Sequence, residues 1–320
     1  MKRFITKIIF SCFSILVIAF VLLLLSSYAV KDKVKNKGRA SVIDKTKMLA
    51  TTASPRIILI GGSNVCYGMS TALLQDSLHI PIIDMSINAR VGMCFYMNQL
   101  KPYLQKNDIV IAIPEYAAFS TTDYYGDQSM YALGVIDKKN CNILTTYQWL
   151  RLPLFIGDLL KDNYTTYFSE IKEETAEVTR GRYLYNRFGD YEGHRNKPSQ
   201  INEKQIESDE LDYNIVSNQN IQSSVIDGLR DFSNYCIEKE VRFFISHPVY
   251  AKALFNKEYA DKIESSLKEL HWINGPEKYI YHYSELYDSP NHLIFAMRDE
   301  RTLKLLTDIK QHIMVNAPIR

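Results

Sequence analysis

The sequence lacks the residue patterns that mark several common classes of functional site. None of its five cysteines belongs to a C-x-x-C pair, so the pattern indicates neither a zinc site nor a redox motif. Its histidines and acids show no metal-ligand spacing. Gly61 and Gly62 are not followed by the G-K-[ST] of a phosphate-binding loop. We therefore expect no metal and no cofactor. We interpret the four cysteines after Cys12 as small hydrophobic core residues, and the alternative is that they pair, although their spacing indicates no disulfide framework.

Glycine and proline are also scarce, with 13 and 10 residues among 320. Hydrophobic residues make up 46% of the chain and aromatic residues 12%, a composition that excludes a disordered protein. There is no internal repeat. The chain is long enough to form one large domain or two small ones with a buried core.

A basic excess is missing from most of the chain, although the net charge is +2. Residues 1–40 hold eight Lys and Arg and one acid, or +7, which leaves 38 − 8 = 30 basic and 36 − 1 = 35 acidic side chains for residues 41–320, or −5. A mildly acidic body cannot neutralise a phosphate backbone, so we expect no nucleic-acid partner.

An apolar run occupies residues 8–29 and contains no charge after Lys7. About 20 such residues cross a bilayer core as a helix. We interpret residues 1–30 as a retained membrane anchor. The alternative is a cleaved secretory signal, because Ser27-Tyr28-Ala29 resembles a small-x-small cleavage site. Basic residues flank both ends of the apolar run, so their distribution does not decide its orientation. The short N-terminal tail favours a cytoplasmic N-terminus. Both interpretations place the body outside the cytoplasm, with the lipid bilayer as a partner.

The rest of the chain alternates apolar runs with amphipathic stretches. Residues 31–54 are polar and charged and are predicted to be a linker. Residues 55–320 are predicted to be one domain, with an insertion or cap at about 120–215. Strands are predicted at 56–62, 81–84, 108–113, 241–246 and 278–283. Continuous apolar strands between helices predict an α/β fold, a parallel sheet with helices on both faces.

One serine stands where parallel sheets place their ligands. Ser63 follows the first predicted strand and the pair Gly61-Gly62, at the start of a helical stretch. Ligands bind at the carboxyl ends of parallel strands, and glycines leave room for them. The helix N-terminus offers N–H groups to a developing oxyanion. Ser63 is therefore a candidate nucleophile, and the alternative is an ordinary N-cap serine.

An acid and a histidine lie close together before the last predicted helix, as Asp288 and His292. A serine becomes nucleophilic when an imidazole takes its proton, and a carboxylate orients that imidazole. The alternative is a loop with satisfied hydrogen bonds. His247 and His194 could also face the site, with core and loop roles as their alternatives.

A serine after the first strand and an Asp/His pair before the last helix resemble the SGNH/GDSL hydrolase superfamily. The resemblance covers residues 55–116 and about 240–315. It implies a flavodoxin-like, SGNH-type sheet. It also implies that Ser63 is the nucleophile, His292 the general base and Asp288 its acid.

The resemblance further implies an oxyanion hole formed by the N–H groups of Ser63 and Gly92. The sequence departs from the family pattern in three places. The first block reads Gly-Gly-Ser, Asp288 and His292 are four residues apart instead of three, and Pro114-Glu115-Tyr116 replaces the usual Gly-x-Asn. The missing asparagine donor could be replaced by Asn64 or Asn88. Glu115 could be catalytic or could form a structural pair.

Membrane-anchored proteins of this kind resemble accessory proteins of envelope-polymer acylation, which work beside a membrane-bound O-acyltransferase. The resemblance thus implies a serine-dependent esterase or O-acyltransferase acting on acyl esters of a cell-envelope polysaccharide, or on a small acyl ester. The alternative is a non-catalytic glycan-binding or assembly protein that uses the same scaffold.

Overall fold

The computed structural model describes residues 2–119, 122–168, 181–201 and 220–314. Four strands form its central sheet: β1 (Ile57–Gly61), β2 (Ile82–Asp84), β3 (Ile109–Ile113) and β4 (Arg242–Ile245). They are parallel and lie in the order β2-β1-β3-β4. The predicted α/β class and the first four predicted strands are therefore confirmed.

Ten α-helices surround the sheet or precede it in the described part of the chain. They are α1 (Lys2–Val30), α2 (Ser41–Thr51), α3 (Ser63–Gly68), α4 (Thr71–Leu78), α5 (Met93–Leu100), α6 (Gln128–Ile136), α7 (Thr146–Phe168), α8 (Ser223–Glu238), α9 (Lys257–Ser266) and α10 (Arg298–Asp308). The last helix continues as a π-helical stretch, Ile309–Met314.

Both faces of the sheet are covered, which explains why its strands are continuous apolar runs. Successive side chains of a strand point to opposite faces. Ile58 and Val110 belong to one buried hydrophobic cluster, and their neighbours Ile57 and Ile109 belong to another.

The predicted fifth strand does not join this sheet. Only Ile280–Tyr281 is extended there, and it pairs in parallel with Tyr250–Ala251 as a separate two-stranded sheet. The 3₁₀ turns Pro276–Tyr279 and Tyr283–Glu285 bound the strand and keep it short.

One helix in the described part of the chain is long and apolar enough to cross a membrane. It covers Arg3–Val30, 28 residues with a mean hydropathy of 3.1 in its most apolar window. Most of its side chains are exposed, but Leu23 and Val30 near its end are buried in contact with the body.

The predicted linker, residues 31–54, is folded against the domain. It forms two 3₁₀ turns and then α2, whose Leu49 is fully buried. Lys45 is buried too, and its ammonium group donates to the carbonyls of Asp84, Ser86 and Gly189 at 2.7–2.8 Å. The polar composition of this segment did not predict the packing, because the hydrogen-bond acceptors of the buried lysine lie in segments that are distant in the sequence.

The described parts of residues 120–215 pack on the main core. Met130 and Leu133 of α6 join the larger hydrophobic cluster, as do Ile156 and Leu159 of α7. The helix α7 is continuous over the described residues Thr146–Phe168. Residues 120–121, 169–180 and 202–215 of the predicted insertion lie outside the described residues.

Candidate functional site

Ser63 and Glu115 meet because of the register between β1 and β3. Gly61 pairs with Ile113, so the residues two positions further along each strand leave the sheet side by side. Gly62 is the N-cap of α3, and Ser63 is its first helical residue. Ser63 is half-buried at this edge, with its hydroxyl at the carboxyl ends of the two strands.

Glu115 fills the space in front of the α3 N-terminus. Its Oε1 accepts hydrogen bonds from Ser63 Oγ at 3.5 Å and from both the main-chain N–H and the amide Nδ2 of Asn64 at 3.3 Å. The carboxylate is buried, and the positive end of a helix favours its charge. A Cβ on Gly62 would collide with this oxygen and with Ala89. The glycine is therefore needed for the close approach.

The predicted oxyanion donors differ in their positions. Asn64 lies at the site, where its N–H groups hold Glu115 and its Nδ2 also donates to the Ile113 carbonyl at 3.3 Å. The Gly92 N–H donates to the Ala89 carbonyl at 2.9 Å, and its φ of 85° closes that turn. A role for the Gly92 N–H in an oxyanion hole would require the turn to open.

The other candidate, Asn88, is fixed by a tyrosine. Its main-chain N–H donates to Tyr96 Oη at 3.1 Å, and its carbonyl accepts from the same hydroxyl at 2.9 Å. The next residue, Ala89, packs against Gly62. Sequence reasoning missed Ala89, since a residue without a polar side chain leaves no signal.

Asp288 and His292 form a close pair. His292 Nδ1 lies 2.5 Å from Asp288 Oδ1. The intervening turn is closed by the Tyr287 N–H, which donates to the His292 carbonyl at 2.7 Å, so a spacing of four residues still brings the two side chains together. Partial burial opposes the charged carboxylate, but the hydrogen bond and the charge of His292 hold the pKa of Asp288 below its ordinary value.

Tyr67 connects this pair to α3, the helix that begins at Ser63. Its ring stacks on the His292 ring at 4.3 Å between centroids, with 9° between the planes. Tyr67 is four residues after Ser63 on α3, which places both on one helix face about 6 Å apart along the axis. The hydrogen bonds of the described residues include none between Ser63 and His292. The i, i+4 spacing was the signal that could have identified Tyr67.

His194 packs against Tyr67 inside the protein. It is fully buried among aromatic rings, stacked on Tyr191 and close to Tyr67 and Tyr287. Burial, followed by the charge of His292, lowers the pKa of His194 to about 4. This imidazole is therefore neutral at physiological pH.

His247 is also a buried structural residue. Its Nδ1 shares a hydrogen bond with Tyr116 Oη at 3.2 Å. Its ring stacks on the Trp272 ring, with 4.5 Å between the ring centroids. Burial lowers its pKa to about 3. These contacts agree with a core role for His247, the alternative to a place in the site.

The site therefore offers a serine hydroxyl, a neighbouring buried carboxylate and a His–Asp pair one helical turn away. Within the described ranges, no three His, Cys, Asp or Glu side chains are grouped as metal ligands would be. No protein-family model matches this chain, and no curated protein matches its sequence, so an activity has to be inferred from these residues.

Proposed function

We propose that this protein is a serine-dependent ester enzyme that is held on a membrane by α1 and faces away from the cytoplasm. The observation that carries the proposal is the His292–Asp288 pair, which stacks on Tyr67 of the helix that begins at Ser63. A paired imidazole beside a serine at a helix N-terminus has the parts that acyl transfer needs.

The proposed reaction begins when Ser63 Oγ attacks the acyl carbonyl and His292 takes its proton. With Nδ1 bonded to Asp288, Nε2 is the nitrogen that accepts it. Collapse of the tetrahedral intermediate breaks the ester bond, and the leaving alkoxide receives the proton from His292. A second hydroxyl then attacks the acyl-serine, again losing its proton to His292, and Ser63 is regenerated. Water as that hydroxyl gives hydrolysis, and a sugar hydroxyl gives transfer.

Glu115 must give way during this reaction. The Asn64 N–H that holds its carboxylate cannot hold an oxyanion at the same time, and two negative charges at one helix N-terminus repel each other. We propose that Glu115 holds the resting site and that the bound ester displaces it. The same movement frees the Ser63 hydroxyl to turn toward His292.

The proposed substrates are acyl esters of a cell-envelope polysaccharide, or a small acyl ester that serves as donor. This choice rests on the apolar helix α1, which would keep the site at the outer surface of a membrane. A membrane-bound O-acyltransferase is the proposed partner for the transfer reaction.

A non-catalytic glycan-binding or assembly protein is the second candidate. The observation that favours it is Glu115, which occupies the space where an oxyanion would be bound. A binding protein can retain that contact permanently, whereas an enzyme has to break it in every cycle.

The test is turnover of p-nitrophenyl acetate by the full chain in detergent. We expect turnover by the wild type and its loss in Ser63→Ala, because the nucleophile is removed. Ser265→Ala, a change to an exposed serine of α9, is the matched control and should keep full activity. Turnover that survives in Ser63→Ala would contradict the mechanism, and an inert wild type would favour the binding protein.

A further inference from the structure

The first half of α7 carries a group of exposed apolar side chains. Leu150 and Leu154 are both 74% exposed and lie on one side of the helix at i and i+4. Trp149 and Tyr147 next to them are also exposed. Single exposed leucines are common on soluble proteins, but a group of this kind at helical spacing marks a contact surface.

Charge is nearly absent from this part of the helix. Between Thr146 and Gly157 the sequence contains one charged residue, Arg151. Its guanidinium donates to the Gly126 carbonyl at 3.2 Å and lies over the rings of Tyr147 and Phe155. The one charge of this stretch is therefore engaged by the protein itself, and the stretch contributes no other charge to the surface around the exposed apolar side chains.

The contacts of α7 with α1 and the segment after it give its direction. At its C-terminal end, the Tyr167 carbonyl accepts a hydrogen bond from Lys33, in the segment after α1. Slightly earlier, Asn163 Nδ2 donates to the Ser26 and Ser27 hydroxyls at 3.0 and 3.1 Å.

These contacts follow the chain in one direction, from the basic segment after α1 back into α1 itself. The residues of α7 that precede Asn163 therefore run back beside α1 toward the centre of its apolar run. The exposed leucines lie on that half of α7. The acids Asp158 and Asp162 lie on the other half, and Asp162 contacts Lys37 and Arg39.

We propose that the first half of α7 inserts into the outer leaflet of the bilayer beside α1, as a second membrane contact that does not cross it. Amphipathic helices with exposed Trp and Leu bury their apolar face at the boundary between headgroups and acyl chains. Trp and Tyr are enriched at that depth. The occupant of the apolar face is then lipid, because α7 packs beside α1, most of whose apolar side chains are exposed.

This contact fixes the orientation of the domain. α7 packs on the main core through Ile156 and Leu159, so lipid bound to its other side holds the whole body against the membrane. A domain held by α1 and α7 together cannot swing freely as it would on a flexible linker. The inference rests on the proposed membrane position of α1.

The two tryptophans of the chain give a direct test. Trp272 stacks on the buried His247, whereas Trp149 is exposed on α7. Trp272→Phe leaves Trp149 as the only indole, and Trp149→Phe leaves Trp272. Each full-length variant is reconstituted into phosphatidylcholine vesicles, and its fluorescence is compared with that in vesicles whose acyl chains carry bromine near the headgroup.

We expect Trp149 to lose most of its fluorescence to the brominated lipid and Trp272 to keep nearly all of it. A third protein with both changes and Leu154→Trp should be quenched like Trp149, which tests the face independently of one substitution. Vesicle flotation of every variant reports separately on α1. Equal, weak quenching of Trp149 and Trp272 in floating protein would overturn the proposal, and so would cross-linking between two copies through Leu150→Cys without quenching. Protein that does not float would contradict the anchor and the α7 contact together.

Discussion

Glu115 Oε1 lies 3.5 Å from Ser63 Oγ, at the point where β1 and β3 leave the sheet together. The contact places a buried carboxylate directly beside the proposed nucleophile. It also takes up an N–H group at the start of α3. Whether this carboxylate restrains the serine or activates it decides how the site works, and a change of one atom distinguishes the two roles.

Glu115→Gln should raise turnover of p-nitrophenyl acetate. The substitution removes the negative charge that opposes an oxyanion and introduces an amide donor at nearly the same position. Since one oxyanion donor is worth about 10²–10³ in kcat, we expect a gain of about tenfold or more. Initial rates at saturating ester are the measurement.

Glu115→Ala is the companion variant, because it removes the charge without supplying a donor and should give a smaller gain. A large loss of activity in Glu115→Gln would contradict a restraining carboxylate. It would instead identify Glu115 as the base that activates Ser63.

Asp288→Asn should lower kcat by about 10²–10⁴-fold, because the imidazole loses the carboxylate that fixes its tautomer and stabilises its charged form. The thermal midpoint should change little, since Asp288 is at the surface. Asp227→Asn is a matched control, as it removes another exposed acid that lies near a basic side chain. Equal kcat values for the two variants would remove Asp288 from the mechanism.

His194→Phe should make the protein more resistant to acid. The pKa of His194 is about 4 in the fold and 6.5 in the unfolded chain, so the unfolded chain binds more protons between these values. Stability that is present above pH 6.5 is therefore lost as the pH falls toward 4. At 1.36 kcal/mol per pKa unit the loss is up to about 3 kcal/mol.

Urea unfolding at pH 7 and pH 5 measures this effect. The difference between the two pH values should shrink in His194→Phe and persist in His312→Phe, which changes an exposed histidine. An unchanged difference in His194→Phe would show that this imidazole is not the acid-sensitive group.

Lys45→Met should destabilise the domain by about 3–5 kcal/mol. The change leaves three carbonyls without their donor and the buried Asp84 carboxylate without a cation 3.5 Å away. The double change Lys45→Met/Asp84→Asn should recover part of the loss, because it also removes the unpaired charge. The measurement is the free energy of chemical unfolding of the wild type, the single variant and the double variant. An unchanged free energy of unfolding in Lys45→Met would contradict the packing of α2 on the sheet.

The sequence predicted the sheet well because its four strands are continuous apolar runs bounded by Gly, Pro or charged residues. It also predicted that Asp288 and His292 would be paired, since four residues of a turn can bring them together. It did not predict the contact of Glu115 with Asn64, which depends on the register between two strands far apart in the chain.

Buried polar residues were the other source of error. Lys45 lies in a segment whose composition indicates a linker, and its burial depends on three carbonyls from two distant segments, one at Asp84 and Ser86 and the other at Gly189. The sequence also did not predict the separate sheet at Ile280–Tyr281, because a two-residue strand has no periodic pattern that would assign it a partner.

The most direct measurement of the central claim is covalent labelling of Ser63. The full chain is treated with a fluorophosphonate, which forms a stable adduct with activated serines, and its peptides are analysed by mass spectrometry. The proposed mechanism predicts one adduct on Ser63 in the wild type, faster labelling in Glu115→Gln, slower labelling in His292→Ala and none in Ser63→Ala. An unmodified Ser63 in the wild type and in Glu115→Gln, or labelling that persists in Ser63→Ala, would contradict it.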